Sequence, residues 1–217
     1  MSVYPTKLNS WQDVCWTVEK IGFLPLQECG LLGFSVEGMT ESWRWEVNGK
    51  DNPWYWRYHI VKSRRVVYGK FFKKHIGFIA RDWFADYANI RRDALLSHGA
   101  QKILELFSDD VSLSSFDIKM LSGIGRSREL DQLLCELMMT GHLIISDFDE
   151  KASNWPMAVY QLPEAYLGGS VHTDITPEES LRKLTDQCAG YVPSVKAKKI
   201  RAIMANRRDG LEAVKDE

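Results

Sequence analysis

The 217-residue sequence lacks an excess of charge of either sign, because 28 lysines and arginines oppose 29 aspartates and glutamates. A formal net charge of -1 does not predict a nucleic-acid or membrane partner from global electrostatics, so any anionic partner must meet a local patch. Hydrophobic residues make up 45% of the chain and charged residues 26%. This balance is typical of one globular domain or two small ones, and it excludes a disordered protein.

Cysteine is scarce and dispersed, with single residues at Cys15, Cys29, Cys135 and Cys188. No pair has the spacing of a zinc site and no histidine cluster lies nearby, so we expect free thiols, no metal and no disulfide framework. The first residues lack the basic and then apolar plan of a signal peptide, and no apolar run reaches transmembrane length. These absences predict a cytoplasmic protein that does not interact with membranes.

Catalytic motifs are also missing. No Ser–His–acid grouping and no glycine-rich phosphate loop can be read, and the five histidines lie in unrelated segments. The residues by themselves therefore show no catalytic constellation and predict no cofactor. They leave the oligomeric state open.

Tryptophan, in contrast, is abundant, with eight in the chain. Several of them share residues 51–83 with a high density of cations. Indole rings are poorly solvated, so Trp43, Trp45, Trp54 and Trp56 are expected in the core or half-buried against it. An aromatic ligand pocket is the alternative.

The strongest local basic patch lies at residues 62–74, "KSRRVVYGKFFKK". Its pattern predicts a hairpin with a turn near residues 74–77, in which Arg65, Phe71 and Lys73 share one face. Cations mixed with aromatics suit phosphate contact with stacking nearby, while the alternative is a half-buried hairpin with solvated lysines. The candidate DNA-binding residues of this segment are Arg64, Arg65, Lys70, Lys73 and Lys74.

Residues 96–161 predict the outline of a winged helix-turn-helix: a helix, a short helix, a long helix and a β-hairpin. Ser114 or Ser115 caps the short helix and Gly123 ends it. The leading face of the long helix offers Arg126, Arg128 and Gln132, which are able to hold phosphates or to read bases.

The tip of the predicted wing argues against DNA contact by the usual route. It carries Lys151 but also Asp147, Asp149 and Glu150, whose charges repel phosphate. A DNA-binding module and a protein-interaction scaffold both fit this segment, since winged helices serve in both roles.

Helices are also predicted at both ends of the chain. Ser10 caps the first, and residues 27–49 follow it as loops with short strands. Thr176 and Pro177 begin a later helix, after which a basic helix near Lys199 and Arg201 either lies on phosphate or is solvated.

The phrases "DNPWYWR", "VVYGKFFKKHIGFIARDWF" and "RELDQLLCELMMTGHLIIS" resemble the AlkZ-related proteins of bacteria, over about residues 11–167. That family is similar to the AlkZ and YcaQ DNA glycosylases, which have tandem winged helices and excise alkylated or crosslinked bases. The resemblance implies DNA as the partner. It also places the water-holding Gln-x-Gln or Gln-x-Asp pair of those enzymes at "IGFLPLQ", with Pro25 in the first position and Gln27 in the second.

Proline is unable to orient a water, so half of the implied catalytic pair is absent and the resemblance leaves enzyme activity open. Gln27 is the candidate catalytic residue, with Glu28 as a possible substitute. The sequence therefore predicts an α+β protein with a tryptophan-rich module at 1–95, a winged helix at 96–170 and a helical tail at 171–217. The expected function is DNA binding, directed at damaged duplex; the alternatives are a competent glycosylase and a scaffold or small-molecule-binding protein.

Overall fold

Helices and antiparallel strands alternate along the chain, as the α+β prediction expected. The computed structural model describes residues 7–30, 33–49, 51–91, 94–149, 156–191 and 197–205. The N-terminal elements are α1 (Trp11–Ile21), β1 (Phe23–Pro25), α2 (Pro53–Ser63), β2 (Val66–Phe72), β3 (His75–Ala80) and α3 (Arg81–Asn89). The later elements are α4 (His98–Leu104), β4 (Leu113–Ser114), α5 (Ser115–Ser122), α6 (Ser127–Met139), β5 (Ile144–Asp149), β6 (Met157–Gln161), α7 (Pro163–Leu167), α8 (Pro177–Tyr191) and α9 (Ala197–Ala205).

Helix ends follow the local signals in the sequence. The Ser10 hydroxyl accepts a hydrogen bond from the backbone N–H of Asp13 at the start of α1. Ser114 and Asp117 form a reciprocal capping box on α5, which confirms Ser114 as the cap. The same exchange between Thr176 and Glu179 starts α8. Side-chain caps of this kind satisfy backbone donors that the first turn of a helix leaves unpaired.

One antiparallel sheet joins the two halves of the chain. Its strand order is β1-β3-β2-β5-β6-β4 within the described residues. The joint is between β2 and β5, where Tyr68 lies opposite Ile145. A single apolar cluster runs from Leu8 to Met204 and includes residues from all three predicted segments, whose boundaries stay a prediction.

The β2–β3 hairpin is buried on both faces, so its aromatics are not available for stacking, and the alternative of a packed hairpin with exposed lysines is the one that fits. Gly69 lies opposite Gly77, and a Cβ at either position would come within 3 Å of a Phe71 or Phe72 ring atom. The two glycines therefore leave room for the rings to lie across the strands, which is a packing role for glycine in a strand. Tyr68, Phe71 and Phe72 are all buried and belong to the core.

The tryptophan-rich stretch before this hairpin is helical, forming α2. Pro53 occupies the first turn of α2, and Asn52 caps that turn by accepting from the N–H of Trp54. Trp56 is buried in the core, as expected, but Trp43 is 49% exposed on a 3₁₀ turn, and the prediction for it is wrong. No strand forms among the described residues of 27–49, because the loop's backbone bonds go to β1 and to its own turns.

The last described helix, α9, packs onto this frame. The buried face of α9 presents Ile200, Ile203 and Met204, and the buried Arg91 guanidinium donates to the Met204 carbonyl. Lys199 and Arg201 are exposed on the opposite face, while residues 192–196 lie outside the described part. Within the described residues, none of the helices combines the length and the apolarity needed to cross a bilayer.

Candidate nucleic-acid interface

The tip of the β2–β3 hairpin is a two-residue turn made of Lys73 and Lys74. Phe72 pairs with His75 across it, so the turn precedes the predicted position at 74–77 and Gly77 lies inside β3. Both lysines are exposed, and both have left-handed backbone conformations, with φ of 48° and 72°. Glycine, asparagine and aspartate normally occupy such turns, because a left-handed conformation costs other residues about 1 kcal/mol each.

Gln27 lies at the same end of the sheet as this tip. Pro25 pairs with Gly77, and the N–H of Leu26 donates to the carbonyl of Ile76 at 2.9 Å. Gln27 is the next residue along the chain, and its side chain is exposed. The candidate catalytic amide therefore lies just after β1, beside the residues that follow the lysine turn.

The Cys29 thiol gives electrostatic evidence for this proximity. Burial raises the pKa of Cys29 to about 11, while the nearby Lys73 ammonium acts in the opposite direction. Burial disfavours the thiolate and a neighbouring cation favours it. Gln27, Cys29 and Lys73 therefore share one end of the molecule.

Pro25 and Glu28 have structural roles at this end. Pro25 is buried in β1, and its carbonyl accepts from the N–H of Val36 at 2.9 Å. Glu28 is exposed, and its carboxylate accepts from the N–H of Gly33 at 2.9 Å, which ties the loop after β1. The geometry therefore offers Gln27 as the exposed polar side chain of this motif and uses the Glu28 carboxylate to hold the loop.

The hairpin tip continues onto helix α6. The backbone N–H of Lys70 donates to Met138 Sδ at 3.4 Å. Burial raises the pKa of Cys135 on α6, and the Lys70 and Lys74 ammonium groups oppose that rise. Both lysines are therefore close to the middle of α6.

Arg128, Gln132 and Cys135 lie on one face of α6, since they are spaced by four and three residues. Arg128 and Gln132 are exposed, and Arg126 immediately precedes the helix. The seven residue steps from Arg128 to Cys135 span about 10 Å of helix axis. We name this set of residues the tip–α6 strip; it comprises Gln27, Lys70, Lys73, Lys74, Arg126, Arg128 and Gln132.

Arg64 and Arg65 lie at the opposite end of the hairpin. Strand β2 has seven residues, which places them about 20 Å from the lysine turn. The Arg65 guanidinium donates to both carboxylate oxygens of Glu19, at 2.8 and 2.6 Å. Arg64 has a left-handed conformation and its guanidinium lies 5.5 Å from the centroid of the Tyr166 ring. The structure therefore does not bring these two arginines to the strip.

The acidic residues of the predicted wing are only partly within the described residues. Asp147 is exposed on β5, whereas residues 150–155, which include Glu150 and Lys151, lie outside the described part. Asp131 on α6 adds a negative charge near Cys135, since it opposes the two lysines there. Glu136 acts on Cys135 in the same direction, and Glu129 is exposed near the start of α6, so the strip is cationic with several acidic interruptions.

A buried cation that sequence reasoning missed lies on α2. Arg57 is 9% exposed and lies 4.0 Å from the centroid of the Trp54 ring. It also donates to the Tyr58 hydroxyl at 2.9 Å and lies against the Phe148 ring of β5. The only sequence signal was the alternation of aromatics with one arginine in "WYWRY", which does not reveal that Phe148 completes the enclosure.

Metal binding finds no support in the part of the chain that the structure describes. No group of three His, Cys, Asp or Glu side chains there is arranged to hold an ion. The four cysteines are buried free thiols.

Comparison with known proteins gives two matches. The structure is similar to the Streptomyces sahachiroi DNA glycosylase AlkZ, with a TM-score of 0.52 and 11% sequence identity. The similarity covers 92% of this chain but 60% of the AlkZ chain, so this chain spans less than two thirds of that enzyme. At this identity the match establishes a shared fold. No curated protein matches the sequence.

The second match is to a family model, described as AlkZ related, over residues 8–205. That range takes in α1, the β2–β3 hairpin, α6 and α9, and so contains every residue of the tip–α6 strip. The chain belongs to the AlkZ-related family.

Proposed function

We propose that this protein binds duplex DNA through the tip–α6 strip and recognises damaged sites in it. The observation that carries the proposal is the lysine turn. Two consecutive lysines adopt left-handed conformations at a position where Asn-Gly would be more stable, and they are exposed beside Gln27. Backbone strain that brings two cations to one exposed point is typical of a functional site.

The order of elements α4–β4–α5–α6–β5–β6 supports a winged-helix assignment for the second half of the chain. Strand β4 pairs with β6, and β6 pairs with β5, so the short strand before α5 joins the hairpin after α6. In such modules the second helix of the helix-turn-helix presents its N-terminal residues to the major groove. Helix α6 occupies that place, with Arg126 and Arg128 at its start.

The strip has the chemistry of a DNA-contacting surface. Lysine and arginine side chains neutralise phosphates and release counterions, which makes the binding dependent on salt. Gln132 is able to form paired hydrogen bonds with an adenine edge, and the cations around it fix position without reading sequence. The membership of the chain in the AlkZ-related family and its likeness to a DNA glycosylase favour DNA over other polyanions.

Glycosylase activity is the second candidate function. Its support is the exposure of Gln27 next to the lysine turn, where an amide oxygen could orient a water near bound DNA. Pro25 occupies the other position of the implied pair and is buried in β1. A single amide positions water but is a poor base, so we place damage binding ahead of catalysis.

The experiment measures two properties on matched duplexes: undamaged, alkylated and crosslinked. Fluorescence anisotropy gives the affinity of each duplex, and abasic-site formation gives base release. We expect salt-dependent binding that is tighter for the damaged duplexes. If base release is present and is abolished in Gln27→Ala, the protein is an enzyme that uses this amide.

Gln101→Ala is the matched control for Gln27→Ala, since it removes an exposed amide on α4, outside the tip–α6 strip. No base release with binding intact would assign damage recognition alone. No salt-dependent binding to any duplex would reject the DNA proposal and favour a scaffold or small-molecule-binding protein.

A further inference from the structure

An open cleft of about 620 Å³ lies between α3 and α8, at the other end of the β2–β3 hairpin from the lysine turn. It is lined by Trp83 and by the face of α8 from Arg182 to Tyr191. Because α3 begins directly after β3, the six residues of that strand separate the cleft from the tip by nearly 20 Å. The cleft is therefore distinct from the tip–α6 strip.

The walls of the cleft are fixed by hydrogen bonds to the surrounding frame. The Lys183 ammonium donates to the buried Asp86 carboxylate at 2.8 Å and lies 5.4 Å from the Trp83 ring centroid. Ser180 also donates to Asp86, at 2.9 Å. Gln187 donates to the carbonyl of Lys20 at the end of α1, at 2.7 Å. These bonds hold the cation and the amide in place before any ligand arrives, which lowers the entropy lost on binding.

A glycine keeps the cleft open. Gly190 lies in α8 without a left-handed φ, so its backbone does not require glycine. A Cβ at this position would meet no atom within 4 Å. Glycine is a poor helix former, so a larger residue would be tolerated and would favour the helix. The effect of glycine at position 190 is therefore to leave the cleft wider beside Tyr191.

We propose that this cleft binds a nucleoside monophosphate, meaning a planar base attached to one phosphate. Trp83 and Tyr191 are half-buried, and because Lys183 lies over one face of the Trp83 ring, the other face and the Tyr191 ring are the candidates for stacking. Arg182 is exposed and able to form paired hydrogen bonds with phosphate. The Asp186 carboxylate and the remaining carbonyl oxygen of Gln187 accept hydrogen bonds from the N–H groups of a base. The proposal goes beyond DNA binding and does not depend on it.

The charge around the cleft favours one phosphate over three. Arg182 and Lys183 contribute two positive charges, Asp86 and Asp186 contribute two negative charges, and Glu179 adds a third negative charge beside Arg182, so the sum is −1. A triphosphate would bring more negative charge than the guanidinium of Arg182 offsets. A volume of about 620 Å³ is also within the usual range for small-molecule sites.

The test is isothermal titration of the full chain with the four nucleoside 5′-monophosphates. Adenosine and ribose 5-phosphate serve as probes of each half of the ligand. We expect at least one monophosphate to bind with a Kd below about 1 mM, and both fragments to bind at least about tenfold more weakly. No saturable signal at about 10 mM, or equal binding by ribose 5-phosphate, would overturn the proposal.

Two variants locate the site. Gly190→Leu fills the cleft and should weaken binding about tenfold while the thermal midpoint stays the same or rises, because leucine favours the helix. Arg182→Gln should weaken it by a similar factor. Their controls are Gly169→Leu, at an exposed glycine with open space outside the cleft, and Arg201→Gln on α9. Gly190→Leu with wild-type affinity would reject the cleft as the site.

A further experiment distinguishes a free nucleotide from the 5′ end of a DNA strand, since both present a base and a phosphate. A 5′-phosphorylated single-stranded oligonucleotide that binds more tightly than the free nucleotide, and loses that advantage in Arg182→Gln, would identify a strand end as the ligand. Equal affinity would identify the free nucleotide. Duplex DNA binding is measured in Gly190→Leu as well, and we expect it to be unchanged. The nucleotide proposal is thereby tested separately from the DNA-binding proposal.

Discussion

The two ends of the β2–β3 hairpin contain similar numbers of cations and use them differently. At the end where β2 begins, Arg65 binds Glu19, Arg64 lies over Tyr166, and Arg81 donates to the carbonyls of Arg64 and Leu167. At the tip, Lys73 and Lys74 are exposed on a strained turn beside Gln27. A count of cations in a segment therefore does not tell which of them hold the fold together, as all three arginines at the first end do.

The largest difference should be seen in DNA affinity. We expect the double change Lys73→Glu and Lys74→Glu to weaken duplex binding about 100-fold at low salt, because two phosphate contacts become repulsive. The double change Arg64→Gln and Arg65→Gln should alter affinity less than about threefold. Fluorescence anisotropy at several salt concentrations measures both.

The salt dependence adds a second readout to that comparison. For Lys73→Gln with Lys74→Gln, the slope of log K against log salt should shrink by about 2, since each phosphate contact contributes about 0.9. Equal losses of DNA affinity from the lysine variants and from the arginine variants would contradict the proposed difference between the two ends of the hairpin.

Replacing the lysines of the turn should lower DNA affinity but raise the stability of the fold. Replacing Lys73 by Asn and Lys74 by Gly puts the preferred residues into the left-handed turn, so the free energy of unfolding should rise by about 1 kcal/mol. Urea denaturation measures this gain. Lys70→Asn, within the strand, is the control and should bring no gain; an unchanged midpoint in the turn variant would show that the turn stores no strain.

The ion pair at the other end should contribute less. Arg65 and Glu19 have side-chain exposures of 38% and 36%, so water and salt screen their interaction. A double-mutant cycle with Arg65→Gln and Glu19→Gln should give a coupling energy between about 0.2 and 1 kcal/mol that declines as salt is added. A coupling that salt does not change would mean that the pair is more enclosed than its exposure indicates.

The smallest effect concerns two cysteines that report on the two ends. Burial raises the pKa of Cys29 to about 11, and Lys73 opposes the rise, so Lys73→Gln should raise the pKa further and reduce the thiolate fraction. Alkylation of Cys29 near pH 9 should therefore slow about threefold, as measured by peptide mass spectrometry. Burial raises the pKa of Cys15 and the Arg65 guanidinium opposes the rise, so this thiol should respond to Arg65→Gln but not to Lys73→Gln.

The prediction for the winged-helix segment shows what local signals are able to supply. Ser114, Gly123 and the apolar spacing of α6 were sufficient to predict two helices and the hairpin after them, because caps and periodicity act within a few residues. The β2–β3 hairpin was predicted as well, but with its turn one residue late and with its aromatics left open between a stacking surface and a half-buried hairpin. The choice stayed open because Gly69 and Gly77, which admit the phenylalanine rings, are opposed only once the strands pair.

The sequence by itself determined the helix caps, the hairpins, the α+β class and the resemblance to the AlkZ-related family, all of which depend on neighbouring residues or on recognisable phrases. Only the tertiary structure decided which cations are available and which residues meet. Glu19 lies 46 residues from Arg65, and Cys135 lies more than 60 residues from Lys70 and Lys74. Charge neutralisation and burial are properties of distances in space, and a linear pattern does not contain those distances until the chain has folded.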